Sequence, residues 1–214
     1  MTASGWLEQV RTGVEQKRPV LTGYVRRLLS PPLPGDGVLL VGFVAGVIGW
    51  PGTYVMARRP EFAPLGVVES IVALWTVLTV GVILIAALYT APAVRRKRVW
   101  LVWGVLNVAA LCTNLLGVSG SLPPGLTQYA FWHPWFAVFG VSYLVTAALN
   151  WGNPQLRVAE RGVYAAAGVA ALAALVGSVT NPAVLSQLAL IGGALHLIPM
   201  GFDIGADLVL ILRR

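Results

Sequence analysis

Charge is scarce in this chain: of 214 residues only 11% are Asp, Glu, Lys or Arg, against roughly a quarter in a soluble domain. That deficit excludes an ordinary water-soluble globule. With 57% hydrophobic residues and a mean hydropathy of +0.77, the composition is that of a polytopic membrane protein. Cysteine is nearly absent as well. The single Cys112 excludes an intramolecular disulfide, and its place inside an apolar run makes it a packing residue by expectation. There is no CxxC, HExxH, P-loop or dinucleotide-type glycine pattern, so metal-dependent hydrolysis, nucleotide hydrolysis and Rossmann redox chemistry lack support. No lysine lies within an apolar run, which excludes a retinal Schiff base.

The charge that is present is basic, net +7 with a pI near 10.2. A nucleic-acid partner needs its basic residues gathered on one accessible face; here they sit at the ends of apolar runs, where they match anionic lipid headgroups and orientation signals. Residues 1–35 mix Trp6, Leu7, Val10 and Val14 with Arg11, Lys17, Arg18, Arg26 and Arg27. They contain no continuous apolar stretch of signal-peptide type and read as a basic amphipathic segment on the inner membrane surface, interrupted at Pro19.

Residues 36–214 read as one all-α domain of six membrane spans. At about 17 to 25 apolar residues per crossing, the runs are 37–57, 65–91, 99–118, 128–150, 162–180 and 187–212. Arg95, Arg96, Lys97 and Arg98, then Arg157 and Arg161, then Arg213 and Arg214, mark alternate connections as cytoplasmic. Both termini then lie inside, and a cell-membrane location follows. Arg58 and Arg59 dissent, with Glu61 as a partner within reach. Trp50, Trp100, Trp132, Trp135 and Trp151 fall near span ends, where an interfacial belt is expected. A Pro-Gly approach recurs at Ser30–Gly35 and Ser121–Gly125, and Trp50 and Trp151 each end the span that follows. Three spans per half would make that an inverted repeat of the transporter kind.

The last span is the most informative. His196, Met200, Asp203 and Asp207 fall within an arc of about 60° on one helix face, and ionisable groups at membrane depth cost roughly 3 kcal/mol or more each. Measured inward from Arg213 at about 1.5 Å per residue, Asp207 lies about 9 Å deep and Asp203 about 15 Å. Pro199 and Gly201 predict a kink or break near residues 195–201, a hinge that frees backbone groups for an ion or polar ligand. Asp207 has Arg213 or Arg214 as partners within reach. Asn107 and Asn114 share one face of the third span, and Glu69 stands near the outer end of the second. If they meet Asp203 and His196, the bundle has a polar interior track.

Two further patterns bear on chemistry. His133, in Phe131-Trp132-His133-Pro134-Trp135-Phe136, and His196 are the only two histidines, the minimum for a bis-histidine haem b of the electron-transfer kind. Gly117-Val118-Ser119-Gly120 resembles the GxSG motif of rhomboid intramembrane proteases, with His196 in the position of their partner histidine. Ser119, however, ends a span ahead of a Pro-Pro loop instead of opening one, and the histidine-rich second span is missing. The expectation is therefore a small transporter or channel for a proton, cation or small polar ligand, using His196, Asp203, Asp207, Asn107, Asn114 and Glu69. The alternatives are a non-catalytic membrane subunit bound to a larger complex or its own copies, and a haem-binding electron carrier.

Overall fold

Proline, glycine and arginine punctuate the apolar runs, and helices begin and end at them. The computed structural model describes residues 3–150, 156–181 and 187–213. Among these there are seven long helices and no strand: α1 Ala3–Leu29, α2 Gly35–Arg58, α3 Val67–Tyr89, α4 Arg98–Val118, α5 His133–Leu149, α6 Val158–Thr180 and α7 Leu188–Arg213. Single helical turns at Pro60–Phe62, Pro92–Arg95 and Pro124–Thr127 bridge them. Trp151 lies outside the described residues, as does most of the expected connection between the last two spans.

Five helices, α2, α3, α4, α6 and α7, are long and apolar enough to cross a membrane. The fourth expected run is shorter. Gln128–Trp132 are turns and bends, and α5 starts only at His133, because Pro134 fits the first turn of a helix, where no amide partner is required. Its 17 residues span about 25 Å at 1.5 Å each, short of a hydrocarbon core of about 30 Å.

Polarity is distributed as expected for helices solvated by hydrocarbon. On α3 the buried residues are Ser70, Val72, Trp75 and Thr79, whereas Val77 and Leu88 are each 71% exposed. Facing water, that much contiguous apolar surface is rare; between helices, small and polar residues permit close approach and interhelical hydrogen bonds. Each of α2 to α7 packs on its sequence neighbour, and α7 returns to pack on α2, so six helices close a ring. Gly140 and Gly168 bring α5 and α6 together, Leu172 and Leu144 filling the space that side chains would occupy.

Neither Pro19 nor Pro199 interrupts its helix. α1 runs through Pro19, and α7 runs through Pro199 and Gly201 as uninterrupted helix. Pro199 is fully buried, and Gly201 faces Phe43; packing holds α7 across the proline, as tertiary contacts can when one backbone bond is missing. α1 lies against α2 and α7, and its Tyr24 and Leu28, one turn apart, are buried. Cys112, expected in the packing, faces outward.

Candidate functional site

The centre of the ring is aromatic. Trp50 of α2 and Trp75 of α3 meet edge to face at 5.1 Å, and His196 of α7 stacks near Trp75 at 6.2 Å and beside Phe139 of α5 at 5.1 Å. Three glycines make this possible. A side chain at Gly46, Gly49 or Gly192 would run into the rings of His196, Trp75 or Trp50 respectively, so each gap in a helix surface receives a ring from its neighbour. Trp50 and Trp75 are therefore core residues, not interfacial anchors. Trp132 and Trp135, half-buried, border a cavity of about 90 Å³ against them.

Hydrogen bonds fix the rings. The Trp50 indole N–H donates to His196 Nδ1 at 3.2 Å, that of Trp75 to Thr53 Oγ1 at 2.9 Å, and that of Trp135 to Asn114 Oδ1 at 2.7 Å. Asn114 donates in turn to the carbonyls of Ala130 and Phe131, tying the turn before α5 to α4. An indole can only donate, so Nδ1 of His196 is the acceptor and the neutral ring carries its proton on Nε2. Nε2 is buried beside Gly46, its N–H turned to the backbone carbonyl of Gly42 at looser than ordinary hydrogen-bond geometry.

That tautomer bears on the haem reading. An axial histidine must present a bare nitrogen to iron, generally while its other N–H donates to an acceptor. In His196 the bare nitrogen is held by Trp50, and the nitrogen left over is protonated. His133 lies at the start of α5 with Tyr129 against its edge at 4.9 Å. As Trp50 holds it, His196 presents no bare nitrogen to an iron, whereas both ring nitrogens of His133 are buried without a partner.

Further along α7 the face becomes polar. Tyr143 of α5, fully buried, donates to the backbone carbonyl of His196 at 3.3 Å. Its ring lies 5.5 Å from that of Tyr164 on α6, and Tyr164 donates to Asp203 Oδ2 at 2.6 Å. One turn on, Arg157 donates to Asp207 Oδ1 and to the Ala206 carbonyl, each at 3.1 Å. The same guanidinium grips Glu160, which is 1% exposed and also accepts from the Arg157 backbone N–H at 2.7 Å. A carboxylate three residues past the cap suits the first turn of α6, where free amides and the helix dipole favour negative charge. Tyr24 of α1 stands beside the same group. Burial raises its hydroxyl above the ordinary value, and Asp207, Asp36 and Asp203 push it further up against Arg27. The hydroxyl stays protonated and has no hydrogen-bond partner.

The predicted residues thus divide. His196, Met200, Asp203 and Asp207 lie along one side of α7 and face the ring; Asp207 is held by Arg157, and the side chains of Arg213 and Arg214 lie outside the described residues. Asn114 joins the aromatic centre. Asn107 does not join, since its amide turns back to the Trp103 carbonyl at 2.7 Å. Glu69 is exposed beside Gly66, and Arg59 pairs with Glu61 at 3.3 Å. Pro199 and Gly201 pack within a continuous helix. Sequence reasoning missed Tyr143, Tyr164, Thr53, Trp75, Asp36 and Glu160. A visible signal existed for Glu160, an acidic residue three places after Arg157 at a helix start, and for the two tyrosines, polar-tipped residues within apolar runs. Among the described residues no three His, Cys, Asp or Glu side chains gather as a metal site. The chain matches no family model, no curated protein and no solved structure.

Proposed function

We propose that the chain is a small multi-pass membrane transporter or channel for a proton or cation, with α7 as the wall of its path. In this reading α5 is a sixth, short crossing. Residues 1–35 form an amphipathic segment on anionic headgroups of the cell membrane, and both termini are cytoplasmic, with the arginine-rich pole inside. The observation that carries the proposal is the line of polar groups along α7: the His196 ring and carbonyl, then Tyr143, Tyr164, Asp203 and Asp207. Structural side chains alone give little reason to place two aspartates and a histidine on one inward face at membrane depth.

The roles follow from the geometry. Asp203, held at one oxygen by Tyr164, is the carboxylate that takes up and releases the proton or cation. Arg157 neutralises Asp207, so the two aspartates do not act as an equivalent pair. His196 is the contact at the far end of the path. The test is Asp203→Asn in proteoliposomes under an imposed proton or cation gradient. An amide oxygen still accepts from Tyr164, so folding is retained while coupled flux falls to the level of empty liposomes. Full flux in this variant refutes the assignment.

A further inference from the structure

The cavity beside the aromatic centre has a lining from which its occupant's chemistry can be read. Four indoles, Trp50, Trp75, Trp132 and Trp135, border it with Phe139 and Asn114, and no carboxylate, ammonium or guanidinium does so. Three of the four indole N–H groups are already committed. Those of Trp50 and Trp75 go to His196 and Thr53, which do not border the cavity. That of Trp135 goes to Asn114, whose amide is in turn spent on two backbone carbonyls. The cavity is therefore walled by electron-rich rings and offers scarcely any hydrogen-bonding capacity.

We infer that this cavity binds a quaternary ammonium group of the trimethylammonium type. A cation is drawn to the negative face of an aromatic ring, most strongly to tryptophan and most of all where water is excluded. A primary ammonium would bring three donors and find few acceptors free, so its desolvation goes uncompensated. A fully alkylated ammonium has no donor to satisfy. The volume, about 90 Å³, suits one small headgroup and is well below the roughly 300 Å³ or more of pockets for drug-sized ligands. Free choline and a phosphatidylcholine headgroup present the same chemistry. The inference deepens the transport reading by naming the cation, and rests on that reading only for what happens after binding.

The test is a tryptophan-fluorescence titration of the full chain, purified in a maltoside detergent, at constant ionic strength. Choline and tetramethylammonium chlorides are compared with methylammonium and with 3,3-dimethyl-1-butanol, the neutral isostere of choline. Saturable binding of the two quaternary ions is expected, with the isostere and methylammonium at least tenfold weaker. Trp132→Leu removes a half-buried ring and weakens choline about tenfold, the scale of one desolvated cation–π contact; Trp132→Phe recovers part of it. Equal binding of the neutral isostere, or no saturable signal from any quaternary ion, overturns the inference. In nanodiscs, a choline signal seen with phosphatidylglycerol but lost with phosphatidylcholine identifies the lipid headgroup as occupant, and a signal in both identifies the free cation. Binding without flux retires the transport reading and leaves the site standing.

Discussion

Substituting Gly49 by alanine tests the packing of the aromatic centre with a single methyl group. A Cβ at this position would lie 2.6 Å from Trp75 Cη2, 2.7 Å from Cζ2 and 3.1 Å from Leu78 Cδ1. Restoring an ordinary contact of about 3.4 Å requires the indole to retreat by about 0.8 Å. The ring is rigid, so its N–H retreats too, stretching the 2.9 Å bond to Thr53 to as much as about 3.7 Å, beyond hydrogen-bonding range. Overpacking of this kind costs about 1–3 kcal/mol, and a weakened buried bond adds about 1 kcal/mol. Alanine's helix preference returns about 1 kcal/mol. The net expectation is a loss of about 2 kcal/mol. At Gly81, on α3, nothing lies within 4 Å of the place a methyl group would take, so Gly81→Ala keeps only the helix gain, about 1 kcal/mol of added stability. Thermal unfolding in detergent, followed by tryptophan emission, should separate the two variants by roughly 6–12 °C at the sensitivity of a chain this size. If Gly49→Ala unfolds no earlier than Gly81→Ala, the ring is not seated in the glycine gap and the account of the centre is wrong.

Three further outcomes are expected. Thr53→Val preserves shape but orphans the Trp75 N–H, a loss of about 1–3 kcal/mol in unfolding free energy. Ser142→Ala is its counterpart: the Ser142 hydroxyl is fully buried with no partner, so its removal leaves stability unchanged or raises it by about 1 kcal/mol; a marked loss would show that the hydroxyl is bonded. Glu160→Gln takes the charge from the Arg157 fork. Breaking a buried pair costs about 3–5 kcal/mol, but the Arg157 side chain is 32% exposed, so about 1–3 kcal/mol is expected, measured by chemical denaturation at low and high salt. A cost that vanishes in high salt would place the pair at the surface.

Where the sequence is legible, and where it is not, follows from what periodicity encodes. Helix limits fall within a few residues of expectation because Arg98, Gly35 and Arg213 punctuate apolar runs whose length a bilayer dictates. The face of α7 is legible because 3.6 residues per turn aligns His196, Asp203 and Asp207 whatever surrounds them. Their partners are not. Tyr164 and Arg157 lie 39 and 50 residues from the aspartates they hold, and no local rule joins positions so far apart. Arg157 reads as a topology marker, a role that hides its grip on Glu160 and Asp207. Trp50 carries the same residue type whether it anchors at a headgroup or fills a core; only the gap at Gly192 separates the two, and it opens only when helices meet. The helix runs unbroken through Pro199 because the packing around it here outweighs one lost backbone bond.

The closing of the ring by α7 on α2 has a consequence for synthesis. A chain entering the membrane in order presents Trp50 long before His196 exists, so the indole N–H, the Gly46 gap and the Tyr143 hydroxyl wait in lipid without their partners until α7 arrives. None of the earlier helices completes the centre by itself. A nascent chain arrested before residue 188 therefore displays unmatched polar groups to the lipid, a mark by which membrane quality control can tell an unfinished copy from a finished one.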